Sequence, residues 1–333
     1  MKKLILVTGG TGFIGSHTCV ELINSGYEAV IVDNLSNSKE DVIDKIEKIT
    51  GIKIPFHKKD VTDYLAMREI FEKYKFDGII HFAGYKAVGE SVEKPLMYYR
   101  NNLYGTITLA EICREFSVTN FIFSSSATVY GDNVAPLDES MELLPAANPY
   151  GETKAVSERI LSDFVKANPS FGVTLLRYFN PAGAHESGLI GEDPNGIPNN
   201  LMPYVNKVAA GELKELSVFG NDYETVDGTG IRDYIHVTDL AKGHIAALEK
   251  QKPGLNIYNL GTGKGTSVLE LIHAFEQVNK IKVPFKFTER RAGDLAISYA
   301  DPSLAEKEMG WKAEKDIADM CRDNWNFKLK NKQ

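Results

Sequence analysis

The 333-residue chain has no apolar run approaching the ~20 residues that a membrane-spanning helix needs. That absence argues against a membrane protein. Cysteine is scarce: Cys19, Cys113 and Cys321 are odd in number, far apart and without CxxC spacing, which excludes a disulfide framework and a cysteine zinc site. All three read as structural. Basic residues are in the minority, 38 Lys and Arg against 45 Asp and Glu, giving a formal charge of −7 and no footprint for nucleic acid. His17, His81, His236 and His244 show no close ligand spacing, so they read as structural and no metal is expected. Internal repeats and low-complexity tracts are missing too, and the Lys-rich stretch 328–332 reads as a solvated tail. Met1-Lys2-Lys3 followed by LILV imitates a signal peptide, but the apolar run meets Thr8-Gly9-Gly10 long before an h-region would end. It reads as a buried first strand, and the protein as cytoplasmic.

What is present matches an ordinary globular protein: 43% hydrophobic and 25% charged residues, with length for two lobes. Short apolar runs at 4–7 (LILV), 29–32 (AVIV), 79–82 (IIHF) and 121–124 (FIFS) alternate with helical periodicity at 16–25, 64–75 and 101–116. Such alternation predicts an α/β fold, a doubly wound parallel sheet with helices on both faces. A further strand at 173–178 (VTLLRY) precedes Phe179-Asn180-Pro181-Ala182-Gly183, after which Gly, Pro and Asn are dense through 203. The lobe boundary is therefore expected near 180. A return to the first lobe is expected near Asp233-Tyr234-Ile235-His236-Val237 and the helix-like 238–250. The division is then 1–180, with the return near 232–262, and a smaller interwoven α/β lobe over 181–333.

Directly after the first strand stands Gly9-Gly10-Thr11-Gly12-Phe13-Ile14-Gly15, a GxxGxxG that opens a helical pattern. Missing side chains let the backbone approach a pyrophosphate, whose charge then sits at the positive end of the helix. Asp33 ends the next strand, 18 residues beyond Gly15, where a carboxylate can bind the adenine-ribose hydroxyls. The pattern reads as a Rossmann-type dinucleotide site, and it favours NAD, because the 2′-phosphate of NADP would face that carboxylate. Asp60-Val61 and Phe82-Ala83-Gly84 end later strands at the same sheet edge, where doubly wound folds bind their ligands.

Together with this glycine spacing, TGGTGFIG resembles the extended short-chain dehydrogenase/reductase family, whose chemical signature is YxxxK with an upstream Ser or Thr. Tyr150-Gly151-Glu152-Thr153-Lys154 supplies the pair at the head of a helical pattern, and four residues make about one turn, so phenol and ammonium share a face. A nearby ammonium and the positive nicotinamide both favour a phenolate over a phenol of pKa ~10. Ser124-Ser125-Ser126 follows the strand at 121–123, so hydroxyls gather at the cofactor edge. By the resemblance Ser126, Tyr150 and Lys154 are the catalytic residues, Ser126 meeting the reacting sugar oxygen, and Ser125 reads as a turn cap.

Within that family, HFAG (81–84), KAVGESV (86–92), SSSATVYGD, LRYFNPAGAH, IPNNLMPY, FGNDY, DGTGIRDYIHV and YNLGTG are similar to the UDP-galactose 4-epimerase family over nearly the whole chain. The resemblance implies an isomerase that oxidises sugar carbon 4 with NAD, forms a 4-keto sugar and returns the hydride to its other face. It assigns Gly9, Gly12, Phe13, Ile14, Gly15, Asp33, Asn34, Asn37, Ser38, Asp60, Val61, Phe82, Ala83, Gly84, Lys86, Asn101, Ser124, Tyr150, Lys154 and Tyr178 to NAD. For the UDP-sugar it assigns Ser126, Tyr150, Asn180, Asn199, Asn200, Leu201, Ser217, Phe219, Arg232, Arg291, Asp294 and Ser298. Arginine forks suit a diphosphate. It also implies a homodimer through helices near 92–115 and 150–168. Two other readings stand beside it. A nucleotide-sugar 4,6-dehydratase would need an acid pair where Ala127 and Thr128 lie, and a non-catalytic NAD-binding regulator would be expected to lack Ser, Tyr or Lys. Family members restricted to plain hexoses carry a bulky Tyr where this chain has Ser298. A small residue there would admit an N-acetyl group at sugar carbon 2, as in UDP-N-acetylglucosamine and UDP-N-acetylgalactosamine, unless Tyr299 fills the same space.

Overall fold

Strands that are apolar on both faces can be buried only between two helical layers, and the chain builds that arrangement. A computed structural model describes residues 2–195, 198, 200–291 and 294–331. β1 (Leu4–Thr8), α1 (Phe13–Asn24), β2 (Glu28–Asp33), α2 (Val42–Thr50), β3 (Phe56–Lys58), α3 (Tyr64–Lys73) and β4 (Gly78–His81) come first. The short α4 (Val88–Glu93) and long α5 (Pro95–Glu115) lead to β5 (Asn120–Ser124), and α6 (Pro149–Ala167) leads to β6 (Gly172–Tyr178). β7 (Asn180–Ala182), α7 (Leu201–Ala209), β8 (Leu216–Phe219) and β9 (Ile231–His236) leave the large sheet; α8 (Val237–Lys250) and β10 (Gly254–Leu260) return to it. β11 (Gly265–Ser267), α9 (Val268–Asn279), β12 (Phe285–Thr288), β13 (Ile297–Ser298), α10 (Ser303–Met309) and α11 (Ile317–Lys330) follow.

The large sheet has seven strands in the order β3-β2-β1-β4-β5-β6-β10, all parallel. Alternation sorts its side chains: Ile5, Val7, Ile31, Ile80 and Ile122 pack with α1 and α8 on one face. Leu6, Val30, Val32, Ile79, Phe121 and Phe123 pack with α3, α5 and α6 on the other. Each fully buried apolar side chain contributes about 1.5–3 kcal/mol, so the two packed faces hold the sheet together. The strand order reverses between β1 and β4, and the crevice outside that point is where such folds take ligands.

The expected strands and helices of the first half are present, but α5 starts at Pro95 and not near 101. Proline is tolerated in a first helical turn, and the solvent-facing Leu96 and Arg100 hide the period there. The segment carrying Asp233-Tyr234-Ile235-His236 runs as β9 in a small sheet, between β11 and β13 and beside β7. Re-entry into the large layer falls to α8, whose buried side packs on α1, and to β10, which pairs with β6. Residues 328–330 are not a tail: α11 buries Phe327, Lys328 pairs with Glu212 at 2.5 Å and Lys330 Nζ donates to the Ser187 carbonyl at 2.7 Å. The three cysteines are buried and unpaired, and burial pushes their thiols up. Among the described residues no helix is long and apolar enough to cross a membrane.

Candidate functional site

The carboxyl edge of the large sheet opens into a cavity of about 810 Å³. Its floor is the loop from β1 to α1. Gly9 sits at φ +72°, and a Cβ there would lie 2.7 Å from the Ala83 amide nitrogen; a Cβ on Gly15 would meet the Gly9 carbonyl at 2.3 Å. Only glycine fits those positions. Gly12 precedes the first turn of α1 and no side chain caps that helix, which leaves its first N–H groups for an anion. This is a cradle of the kind a dinucleotide pyrophosphate fills. At the end of β2 the Asp33 carboxylate accepts from the Thr11 amide at 3.2 Å, the Leu35 amide at 2.8 Å and the Ser38 hydroxyl at 3.1 Å. The residues after it, Asn34 to Ser38, bring no cation. Burial works against the charge of Asp60, but hydrogen bonds from Thr62 and Asn34 hold it below the ordinary carboxylate value.

Every residue assigned to the cofactor from the sequence lines this cavity: Gly9, Gly12, Phe13, Ile14, Gly15, Asp33, Asn34, Asn37, Ser38, Asp60, Val61, Phe82, Ala83, Gly84, Lys86, Asn101, Ser124, Tyr150, Lys154 and Tyr178. Sequence reading missed one wall. Residues 189–195 cross the mouth, fastened by Lys39 to Asp193 at 2.5 Å, by Lys86 to Glu192 at 3.1 Å and by the Asn195 amide to the Ser38 carbonyl at 3.0 Å. Its Gly- and Pro-rich composition signalled a loop, and nothing local signalled where the loop lies.

The reactive groups come from three neighbouring elements. Asn148 accepts from the Gly151 amide at 2.9 Å and so starts α6, with Pro149 in the first turn and Tyr150 and Lys154 one turn apart. Burial pushes the Tyr150 phenol above its ordinary pKa, while the facing Ser126 hydroxyl pulls it down. Burial also drives the Lys154 ammonium down to about 8, against the upward pull of Glu158. Lys154 Nζ donates to the Ser124 carbonyl at 2.6 Å and stands over the Phe123 ring. Ser126 Oγ accepts from the Thr128 hydroxyl at 2.9 Å, and the Ser124 hydroxyl bonds to the hydroxyl of Tyr178. The turn after Ser126 holds Ala127 and Thr128, with no carboxylate. His81 bridges Thr8 and Thr106, His17 and His244 bond to helical carbonyls, and burial lowers their pKa values to about 3, 3 and 4. His236 pairs with Asp323 at 3.1 Å. Among the described residues no group of three or more His, Cys, Asp or Glu is placed to hold a metal ion.

Of the described residues assigned to the sugar nucleotide, only Tyr150 lines that cavity. Ser126 lies just after β5, facing Tyr150, and the remaining described ones gather in smaller sets on the small lobe. Arg232 on β9 pairs with Asp294 and stands in register with Ser298 on β13. Arg291 lies over the Phe219 ring at 3.9 Å, with Ser217 two residues earlier on β8. Asn180 on β7 is the register partner of Tyr234, and Asn200, just before Leu201 at the start of α7, donates to Glu192 at 2.8 Å. Asn199 lies outside the described residues.

The family model described as GDP-mannose 4,6 dehydratase matches residues 6–324. A UDP-glucose 4-epimerase of Haemophilus influenzae is 55% identical, covering 98% of each chain. The chain belongs to the UDP-glucose 4-epimerase family. A crystal structure of the Bifidobacterium longum UDP-glucose 4-epimerase in complex with NAD+ and UDP superposes with a TM-score of 0.96 at 52% identity, covering 99% of each chain. A Campylobacter jejuni UDP-Glc/GlcNAc 4-epimerase follows with a TM-score of 0.85 at 36% identity, covering 98% of this chain and 99% of that one. The dehydratase model spans nearly the same residues as these epimerase relatives, and the turn after Ser126 holds Ala127 and Thr128 where the dehydratase reading needed an acid pair.

Proposed function

We propose that this chain interconverts UDP-galactose and UDP-glucose by transient oxidation at sugar carbon 4, with NAD as a bound catalyst. The observation that carries the reading is that Tyr150, Lys154 and Ser124 line the same cavity as the glycine cradle and Asp33, with Ser126 facing the Tyr150 phenol. When bound, NAD supplies a hydride acceptor that gives the same hydride back. The cradle and Asp33 would hold its pyrophosphate and adenine ribose, with the other cavity residues named above around it. Tyr150 takes the 4-hydroxyl proton, Ser126 orients that oxygen, and Lys154 as an ammonium favours the phenolate. Loss of hydride leaves a planar 4-keto carbon, and its stereochemistry is reset when the sugar turns before reduction.

The nucleotide handle must then be gripped while the sugar turns. Arg232, Arg291, Asp294, Asn180, Asn199, Asn200, Leu201, Ser217 and Phe219 serve that grip, guanidinium forks being suited to a diphosphate. In this division residues 1–180, with the return near 232–262, carry the cofactor and residues 181–333 carry the UDP-sugar. The chain acts as a cytoplasmic homodimer: Val92, Leu96, Tyr104 and Ile107 form an exposed apolar stripe along α4 and α5 suited to a second copy.

A second activity, on UDP-N-acetylglucosamine and UDP-N-acetylgalactosamine, is supported by register. Residues paired in parallel strands put their side chains on one face, so Ser298 shares the face of Arg232. Tyr299 falls on the other face, its ring 3.5 Å from where a Gly265 Cβ would stand. The test is epimer formation by purified chain with saturating NAD from UDP-galactose and, in parallel, UDP-N-acetylgalactosamine. Turnover of both supports both readings. Turnover of UDP-galactose alone removes the second, and turnover of neither removes the first.

A further inference from the structure

One buried carboxylate joins all three elements that carry the reactive groups. Glu158 lies one turn beyond Lys154 on α6, and its side chain is 4% exposed. Its Oε1 accepts from the Ser125 hydroxyl, between Ser124 and Ser126 at the exit of β5. The same carboxylate accepts a two-point fork from Arg177 on β6, Nε to Oε1 at 3.0 Å and Nη2 to Oε2 at 2.6 Å. Arg177 immediately precedes Tyr178, and its guanidinium stacks under the Tyr130 ring at 4.9 Å. Tyr130 in turn donates to Asn259 at 2.7 Å. No atom of Glu158, Ser125 or Arg177 lines the cofactor cavity.

A buried ion pair is a weak source of stability, because a well-packed apolar pair of similar volume generally does as well or better. Arg177 even leaves one Nη without a partner. The placement makes sense for position. The groups of the reactive corner, Tyr150 and Lys154 on α6, Ser124 at the end of β5, Ser126 just after it and Tyr178 on β6, all depend on the relative setting of these elements, which a two-point fork restricts.

We propose that Glu158 is a positioning residue which, through Ser125 and Arg177, fixes the catalytic hydroxyls and Lys154 against one another. The idea deepens the epimerase reading and rests on it for the identity of the reacting atom. Misplacement of about 1 Å costs roughly 100-fold in rate, so loss of the tie should act on kcat and spare KM.

Two variants and two readouts test it. Ser125→Ala removes one strand of the tie and leaves no charge unpaired. The pair Glu158→Leu with Arg177→Met replaces the fork by apolar side chains and guards against simple unfolding. With UDP-galactose, both are expected to lose on the order of 10- to 100-fold in kcat, with KM and UDP affinity within about twofold and Tm of the double variant at or above that of the parent. The second readout does not depend on the substrate: titration of the Tyr150 phenol, taken as the phenolate absorbance absent from Tyr150→Phe. The groups that act on this phenol are Ser126 just after β5, Tyr98 on α5 and Tyr178 on β6, while Lys154 on its own helix donates to the Ser124 carbonyl. Both variants should shift it upward by roughly half a pH unit or more. Parental kcat and parental titration in a stable double variant would overturn the positioning role. A parent that fails to turn over UDP-galactose would sink the epimerase reading alone, since the titration still decides whether the tie sets the phenol.

Discussion

The corner around Tyr150 and the arginine wall of the small lobe use the same residue types and differ in burial. Arg177 and Glu158 are each 4% exposed, whereas Arg232 and Asp294 are 17% and 35% exposed and Arg290 and Asp222 are 46% and 68% exposed. Charges in the first set can hold one geometry because water does not compete; charges in the second exchange partners readily. This difference matches the two demands of inverting a carbon through a ketone. Proton and hydride transfer need fixed atoms, and the sugar between the two transfers needs room to turn.

The largest effect is expected at the fixed end. Tyr150→Phe should lower epimerisation of UDP-galactose by about 10³-fold while UDP affinity, measured by calorimetry, stays near the parental value. Near-normal turnover would break the distinction at once. At the open end, Arg232→Ala removes a charge-assisted contact worth about 1.5–3 kcal/mol, so KM for the UDP-sugar should rise roughly 10- to 100-fold with a smaller change in kcat. A reversed pattern, kcat falling with KM unchanged, would move Arg232 into the corner.

Burial also dictates the acid response. His17, His81 and His244 are held neutral, with pKa values of about 3, 3 and 4 in the fold against an ordinary 6.5. The unfolded chain therefore binds more protons below 6.5. The stability contributed by the neutral forms is complete above that pH and is lost as pH falls toward 3 to 4, at up to about 1.4 kcal/mol per group per pH unit. Tm should decline from pH 6.5 downward, and His244→Phe should decline less steeply than the parent; equal slopes would contradict a buried neutral His244. The smallest effect is expected at Arg290, paired in the open with Asp222. Arg290→Ala should leave turnover within about twofold, and a tenfold loss would place it with Arg232.

Much of the corner was legible in the sequence because its parts are local. The glycine loop, Asp33 at the end of a strand and the turn from Tyr150 to Lys154 each write their geometry into a few consecutive residues, and the apolar runs mark the sheet that aligns them. What was not legible depends on contacts distant in sequence. Glu158 looks like any polar residue one turn beyond a lysine until β6 brings Arg177 beside it. The segment 189–195 reads as a loop, and its place over the cofactor cavity comes from partners at Ser38, Lys39 and Lys86. The faces on which Ser298 and Tyr299 lie needed strand register, since a one-residue slip exchanges them. The start of α5 was obscured by the solvent-facing Leu96 and Arg100, which leave Tyr98 as the one fully buried side chain of its first two turns.

The fate of the hydrogen on carbon 4 tests the account most directly. UDP-galactose carrying deuterium at that carbon would be converted in ordinary water and the UDP-glucose product examined by mass spectrometry and proton resonance. A hydride that leaves and returns within one closed site predicts full retention of deuterium at carbon 4, with no solvent hydrogen introduced into the ring. Wash-out of the label, or solvent hydrogen at carbon 5 or 6 with loss of water, would contradict an oxidation and re-reduction at carbon 4.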